Sequence, residues 1–211
     1  MSQPLSDKVC LILDNALRAL AGHTHTTGRT TPAASIPEPP LSNQKRRHAA
    51  ACMRINHAGE IAAQALYHGQ AFVSRSEPLR EQLFQAATEE GDHLAWCSQR
   101  LTELGSHVSR LAPFWYIGSF LIGSLAGIAG DRWSLGFVAE TESQVLKHLD
   151  KHLQELPVED RRSRAILQQM HYDENTHREA AVHAGAARLP AGVQRLMRFA
   201  SVVMVKTAYW I

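Results

Sequence analysis

Two short runs place a carboxylate and an imidazole three residues apart: Glu90-Gly-Asp-His93 and Glu174-Asn-Thr-His177. On a helix, residues at that spacing are neighbours on one face, so each pair can grip one metal ion. Either copy alone is weak, because a chain with twelve histidines yields about one such match by composition. The arrangement carries more weight. Glu60 lies thirty residues before Glu90, and Glu142 lies thirty-two before Glu174, so the halves repeat each other. Antiparallel helices joined by short connections bring such positions to one level of a four-helix bundle, around one centre. The set is then Glu60, Glu90, His93, Glu142, Glu174 and His177. Four carboxylates neutralise and bridge two metals, and each metal has one imidazole. This mixed oxygen and nitrogen set favours two iron ions over zinc, with manganese an alternative. Glu90 and Glu174 are the expected bridges.

Neighbouring polar residues have plainer readings. Glu89 and Glu140 point off the shared face and read as solvated or helix-pairing charges. Asp92 and Asp173 are read as exposed, with acceptance of an imidazole N–H from elsewhere in the bundle as the alternative. His57, one turn before Glu60, is either a support for the centre or a satisfied structural histidine. His148 stands six residues after Glu142, roughly 240 degrees further round, and cannot simply share its face. It is retained with His57 as a residue beside the centre. His23, His25, His107 and His183 read as surface residues.

The elements that must hold this set are helices. Beyond Leu41 there are few internal prolines and no alternating strand pattern, which predicts an all-α fold. Bundle helices are predicted from about Gln44 to Ser74, Pro78 to Leu104, Ser134 to Leu156 and Glu159 to Ala187, with Gly105 and Pro157 as stops. Ahead of them, residues 1–22 form an amphipathic helix closed by Gly22. Residues 23–43 form a Pro/Thr-rich linker, with four prolines in nine residues from Pro32. Residues 44–211 are the metal-binding domain, ending in an apolar helix from about Val193 to Trp210. Between the halves, Leu111 to Gly130 carries no charge for twenty residues. Its proline, glycines and serines favour a buried or interfacial segment over a membrane span. Its Gly123 to Gly127 spacing has the GxxxG form, which a glycine-rich stretch produces by chance.

A formal charge of +2, from 22 basic and 20 acidic residues, offers nucleic acid no electrostatic footprint. Three scattered cysteines, Cys10, Cys52 and Cys97, make neither a disulfide framework nor a thiolate metal site, and point to a reducing compartment. No cleavable signal stands out, so the mature chain is expected to begin near Met1.

Around these residues the chain resembles the demethoxyubiquinone hydroxylase family, the ferritin-like di-iron monooxygenases of ubiquinone biosynthesis. The matching stretches are Arg54-Ile-Asn-His-Ala-Gly-Glu60, Glu89-Glu-Gly-Asp-His93, Thr141-Glu-Ser-Gln-Val-Leu-Lys-His148-Leu and Tyr172-Asp-Glu-Asn-Thr-His177. The resemblance runs from about Gln44 to the C-terminus, with all six ligand positions in order. It implies a ferritin-like four-helix bundle with additional N-terminal and C-terminal apolar helices. The implied reaction is hydroxylation of a demethoxyubiquinol ring, with O₂ supplying the hydroxyl and NADH or another donor the electrons. No dinucleotide fingerprint accompanies this. Implied partners are an isoprenoid quinol, the membrane surface on the cytoplasmic side of the inner membrane, where the protein would be peripheral, and a ubiquinone-biosynthesis assembly. Related eukaryotic proteins have a tyrosine after the position matching His148. This chain has Leu149, so an electron-transfer role for that pair is not carried over.

Two rivals remain. An iron-storage or peroxide-reducing bundle needs no uncharged connector, and rubrerythrin-like members add a cysteine-rich module absent from this sequence. A metal-free helical membrane protein would leave the sixfold pattern without a purpose.

Overall fold

Side chains that satisfy free backbone N–H groups set where three bundle helices begin. Ser42, Ser76 and Asp160 each accept from the N–H three residues on, and Pro78 stands in the first turn after Ser76, where its missing N–H costs nothing. The computed structural model of the chain describes residues 5–38 and 40–211. The first four residues of the expected N-terminal helix segment, and Pro39 of the proline run, lie outside the described residues. Seven helices and no strand occur among the described residues: α1 (Leu5–Ala21), α2 (Asn43–Val73), α3 (Glu77–Glu103), α4 (Ala112–Ile128), α5 (Asp131–Glu155), α6 (Arg161–His183) and α7 (Ala191–Ala208). The fold is all-α. Helix α6 is shorter than its pattern predicts, because the chain unwinds after His183 and the Ala187 N–H donates to the Arg132 carbonyl of α5.

Helices α2, α3, α5 and α6 form the bundle, with α2 running along α3 and α5 along α6. Two apolar layers divide it. One holds Met53, Trp96, Leu101, Leu149, Leu167 and Met170; the other holds Tyr67, Leu83, Leu135, Val138 and Ala181. Between them, at the level of Glu60, Glu90, Glu142 and Glu174, the interior is polar. Burial of the two layers supplies the driving force that holds this polar level out of water.

Helix α4 lies along the outer side of α2. A Cβ on Gly123 would meet the Leu66 carbonyl, and one on Gly69 would meet the Phe120 carbonyl, so the two backbones touch where side chains are missing. The glycine spacing on α4 is therefore a packing surface rather than a compositional accident. The opposite face of α4 shows Phe114, Ile117, Leu121, Leu125 and Ile128, between 58% and 71% exposed. Helix α7 likewise shows Leu196, Phe199, Val202 and Val203 beside exposed Arg195 and Arg198. No helix among the described residues is long and apolar enough to cross a membrane.

Residues 23–38 have no regular structure, as their prolines require, yet they are not a free tether. Ala33 joins the core, Arg29 forms ion pairs with α3 and α6, and Glu38 pairs with Arg100 of α3. Composition reports what backbone an irregular segment can adopt; it does not report which surface the segment lies on.

Candidate metal centre

Each bundle helix delivers its share to the polar level: Glu60 from α2, Glu90 and His93 from α3, Glu142 from α5, Glu174 and His177 from α6. The four carboxylates and His93 are buried, and His177 is partly open. Within each Glu-x-x-His pair, His93 Nδ1 lies 2.9 Å from Glu90 Oε2, and His177 Nδ1 lies 3.3 Å from Glu174 Oε2. Across the bundle, His93 Nδ1 lies 3.1 Å from Glu174 Oε1, and His177 Nδ1 lies 3.3 Å from Glu90 Oε1. Glu90 and Glu174 thus turn one oxygen to each imidazole. Glu60 Oε2 adds a third carboxylate to the His93 side, at 3.6 Å. Glu142 lies on the other side, in the field of His177, and accepts a hydrogen bond from the Tyr67 hydroxyl. The Tyr67 ring meets His177 edge-on.

The outward nitrogens follow the same symmetry. His93 Nε2 donates to Asp173 Oδ2 at 2.9 Å, and His177 Nε2 donates to Glu89 Oε2 at 2.7 Å. Each orienting carboxylate immediately precedes the Glu of the opposite Glu-x-x-His. Because Nε2 keeps its proton for the outer carboxylate, the nitrogen each ring gives up to a cation is Nδ1, which faces the inner carboxylates and frees its lone pair once its proton leaves, the tautomer a metal requires. Glu89 is therefore a half-buried partner of His177 rather than a solvated charge, and Asp173 follows its alternative reading, accepting an imidazole N–H from another helix rather than standing exposed. The reading by helical face failed because the side of α3 that points off the centre meets α6. Asp92 is buried as well, but its partners are Thr27 and Arg29 rather than an imidazole.

Charge balance decides what such a cluster can hold. Burial, then the nearby Glu90 carboxylate, pushes the Glu60 pKa well above the usual range. Burial, then Glu174 and Glu90, does the same to Glu142. Burial opposes ionisation of Glu90, but hydrogen bonds from His177 and His93 outweigh it and lower its pKa. For His93, burial likewise opposes charge, but Asp173, Glu174, Glu60 and Glu90 hold its pKa well above the ordinary imidazole value. Ionising all four carboxylates would leave negative charge in excess even with both imidazoles protonated, and burial together with this mutual repulsion is what holds Glu60 and Glu142 in the protonated form until a cation enters. Glu90 Oε1, Glu142 Oε2 and Glu174 Oε1 are buried acceptors with no hydrogen-bond donor. Ligand atoms of Glu60, Glu90, His93 and Glu174 lie within 4.8 Å of one another. Crowded carboxylates that resist ionising without a counter-charge, unsatisfied oxygens and inward-facing ring nitrogens all fit cations, so this buried Glu/His group is able to bind metal.

Residues 47–208 match the family model described as "Ubiquinone biosynthesis protein COQ7". The chain belongs to the COQ7 family. It is 54% identical over 205 residues to a 3-demethoxyubiquinol 3-hydroxylase of Nitrosococcus oceani, covering 97% of this chain and 96% of that protein. Identity to the protein of the same name from Bordetella parapertussis is 57% over 201 residues, covering 94% and 90% of the two chains. For that of Polynucleobacter asymbioticus it is 52% over 205 residues, covering 97% and 98%.

Among the described residues the other histidines of this COQ7 chain form no hydrogen bond to the six. His148 faces the His152 ring, and its Nε2 pairs with Ser201 of α7 at 2.9 Å, so it does not support the metal group. His57 is buried on α2, one turn before Glu60, with its Nδ1 unpartnered. Glu140 pairs along its helix with Gln144, and His23, His25, His107 and His183 are exposed, all as expected. Burial lowers the pKa of His57, His68 and His152 from 6.5 to about 4, with nearby cationic groups adding to this for His68 and His152. The unfolded chain therefore takes up protons that the folded chain refuses. Their stabilising contribution is complete above 6.5 and lost as pH falls toward about 4, by up to about 3 kcal/mol per ring. The thermal midpoint of His152→Gln should consequently fall less steeply across that range than that of the parent chain. An unchanged slope would show that His152 titrates normally in the fold.

Proposed function

We infer that this chain is a 3-demethoxyubiquinol 3-hydroxylase of ubiquinone biosynthesis, and we propose that it works through a di-iron centre held by Glu60, Glu90, His93, Glu142, Glu174 and His177. The observation that carries the centre is the paired reach of Glu90 and Glu174, each with one oxygen toward each imidazole. Glu60 with His93, and Glu142 with His177, complete the two ends. A bound, reduced iron pair supplies activation of O₂, from which one oxygen atom enters the ring as hydroxyl and the other leaves as water. The reaction consumes two electrons, from NADH or another donor. The chain's own residues supply the geometry. Asp173 and Glu89 fix the imidazole tautomers, Tyr67 orients Glu142, and the apolar layers on either side exclude water.

Substrate access follows from the exposed apolar faces of α4 and α7. Facing outward, with arginines on α7, they fit a peripheral contact with anionic lipid, where an isoprenoid tail can remain while the ring enters. A cavity of about 270 Å³ under α1, lined by Gln64, His68, Phe84 and Ala87, offers room for the ring one turn beyond Glu60. Gln64 Oε1 is buried there without a donor and can accept from a ring hydroxyl.

The purified chain, loaded with iron and given demethoxyubiquinol, ¹⁸O₂ and reductant, is expected to yield a ring-hydroxylated quinol carrying one labelled oxygen. It should float with anionic vesicles. Iron oxidation without ring hydroxylation would instead mark an iron-storage protein, and failure to retain iron would remove the proposed centre.

A further inference from the structure

We propose that Arg29, on the irregular segment outside the bundle, is a positioning residue that sets His93 through Asp173 and makes the His93 end the tighter of the two metal positions. This rests on reading the six buried residues as ligands. Helices α3 and α6 meet each other less extensively than either meets its other bundle neighbour. Residues 23–38 lie along that seam. Gly91, inside the Glu90-Gly-Asp-His93 run, lets the segment press onto α3: a Cβ at this position would run into the His25 carbonyl. From there the Arg29 guanidinium spans the seam, with Nε 2.7 Å from Asp92 on α3 and an Nη nitrogen 2.8 Å from Asp173 on α6.

The Asp173 oxygen that takes Arg29 is the one that accepts from His93 Nε2, while its other oxygen takes Gln169 at 2.9 Å. Both oxygens of the carboxylate are therefore engaged, Oδ2 by two donors and Oδ1 by one, and Asp173 is fixed from three sides as it orients the imidazole. Trp96 closes the loop. The Arg29 guanidinium lies 5.0 Å from its ring centroid, its indole N–H donates to the Arg29 carbonyl, and its ring packs on His93. The opposite arm has no such anchor: among the described residues the Glu89 carboxylate that orients His177 accepts otherwise from Gln85 alone, and Arg29 acts on it through its charge without a hydrogen bond. Two ends with matching ligands are thus held with unequal rigidity.

Titration of the metal-free chain with Co²⁺ alone, followed by visible absorption and by stoichiometry, tests this. The parent chain should bind two ions in unequal steps. Arg29→Ala should weaken one step by about 10- to 100-fold and alter its absorption band, leaving the other step unchanged. Arg29→Lys should restore part of the loss, since an ammonium can reach only one of the two aspartates. Gly91→Ala should reproduce the Arg29→Ala spectrum by lifting the segment, and with Arg29→Lys it carries the test should Arg29→Ala not fold. Parent-like Co²⁺ steps and spectra in these variants, even with a lowered thermal midpoint, would show that Arg29 only staples two helices and would overturn the proposal. A parent chain that binds no Co²⁺ pair would instead overturn the ligand reading.

Discussion

Glu174→Ala is expected to abolish binding of both metals, whereas Glu142→Ala is expected to remove only one. The distinction follows from where the carboxylate oxygens point. Glu174 turns Oε1 to His93 and Oε2 to His177, so its loss deprives both ends of the proposed centre. Glu142 feels the charge of His177 and accepts from Tyr67, whose ring meets that same imidazole, so its loss falls on the His177 end. Loss of a residue that merely orients a ligand costs about 10- to 100-fold in affinity or activity, and loss of a bridging ligand should exceed that. The metal-free variant should remain folded, because removing one of four crowded carboxylates relieves repulsion and leaves the apolar layers intact. Metal supplied at a thousand times its dissociation constant stabilises a one-site protein by about 4 kcal/mol. The parent chain should show a rise in thermal midpoint of that origin, Glu142→Ala a smaller one, and Glu174→Ala none. Both variants should lose turnover while keeping helical circular dichroism. Two retained metals in Glu174→Ala would remove the bridge from the mechanism, and retained turnover in Glu142→Ala would point to Glu140 in its place.

What made the duplicated pattern readable is that its parts are local. Three residues along a helix fix a shared face whatever the rest of the chain does, and the same spacing on α3 and α6 needs only antiparallel neighbours to converge. The orienting carboxylates were less accessible to such reasoning. Glu89 and Asp173 sit one residue before Glu90 and Glu174, off the ligand face, where a lone helix would expose them. In the bundle, that flank of α3 faces α6, and that flank of α6 faces α3. The signal was present in the repetition itself, as an acidic residue directly before each Glu-x-x-His. Arg29 had no comparable signal. It lies in a segment whose prolines and threonines forbid regular structure, and its partners are 63 and 144 residues away. Gly91 was a mute clue: a glycine in mid-helix costs stability unless another backbone needs the space. The glycines of α4 carry the same lesson, since their spacing was ambiguous until the Leu66 and Gln70 carbonyls of α2 were seen against Gly123 and Gly127.

At the end of the α3–α6 seam beyond the metal group, Arg100→Met is expected to destabilise the fold by about 3–5 kcal/mol. Arg100 is fully buried, and its guanidinium reaches Asp160 at 2.8 Å, Ser163 at 2.9 Å, Glu38 at 2.6 Å and Glu103 at 2.9 Å. It therefore joins α3, the start of α6 and the irregular segment in one contact. Asp160 is also fully buried and accepts from the Ser163 N–H at the start of α6, so it cannot turn outward when its cation is removed. Methionine fills much of the aliphatic volume but leaves that carboxylate without its counter-charge. The cost should accordingly belong to the stranded anion rather than to lost packing. Adding Asp160→Asn to Arg100→Met isolates the two contributions, because asparagine keeps the N-terminal cap while discarding the charge. The double variant should recover more than half of the lost stability in denaturant unfolding, and single and double changes should be strongly non-additive. If Arg100→Met alone costs less than about 1 kcal/mol, or Asp160→Asn brings no recovery, desolvation cancels what the ionic cluster gains and the seam is held by its apolar contacts.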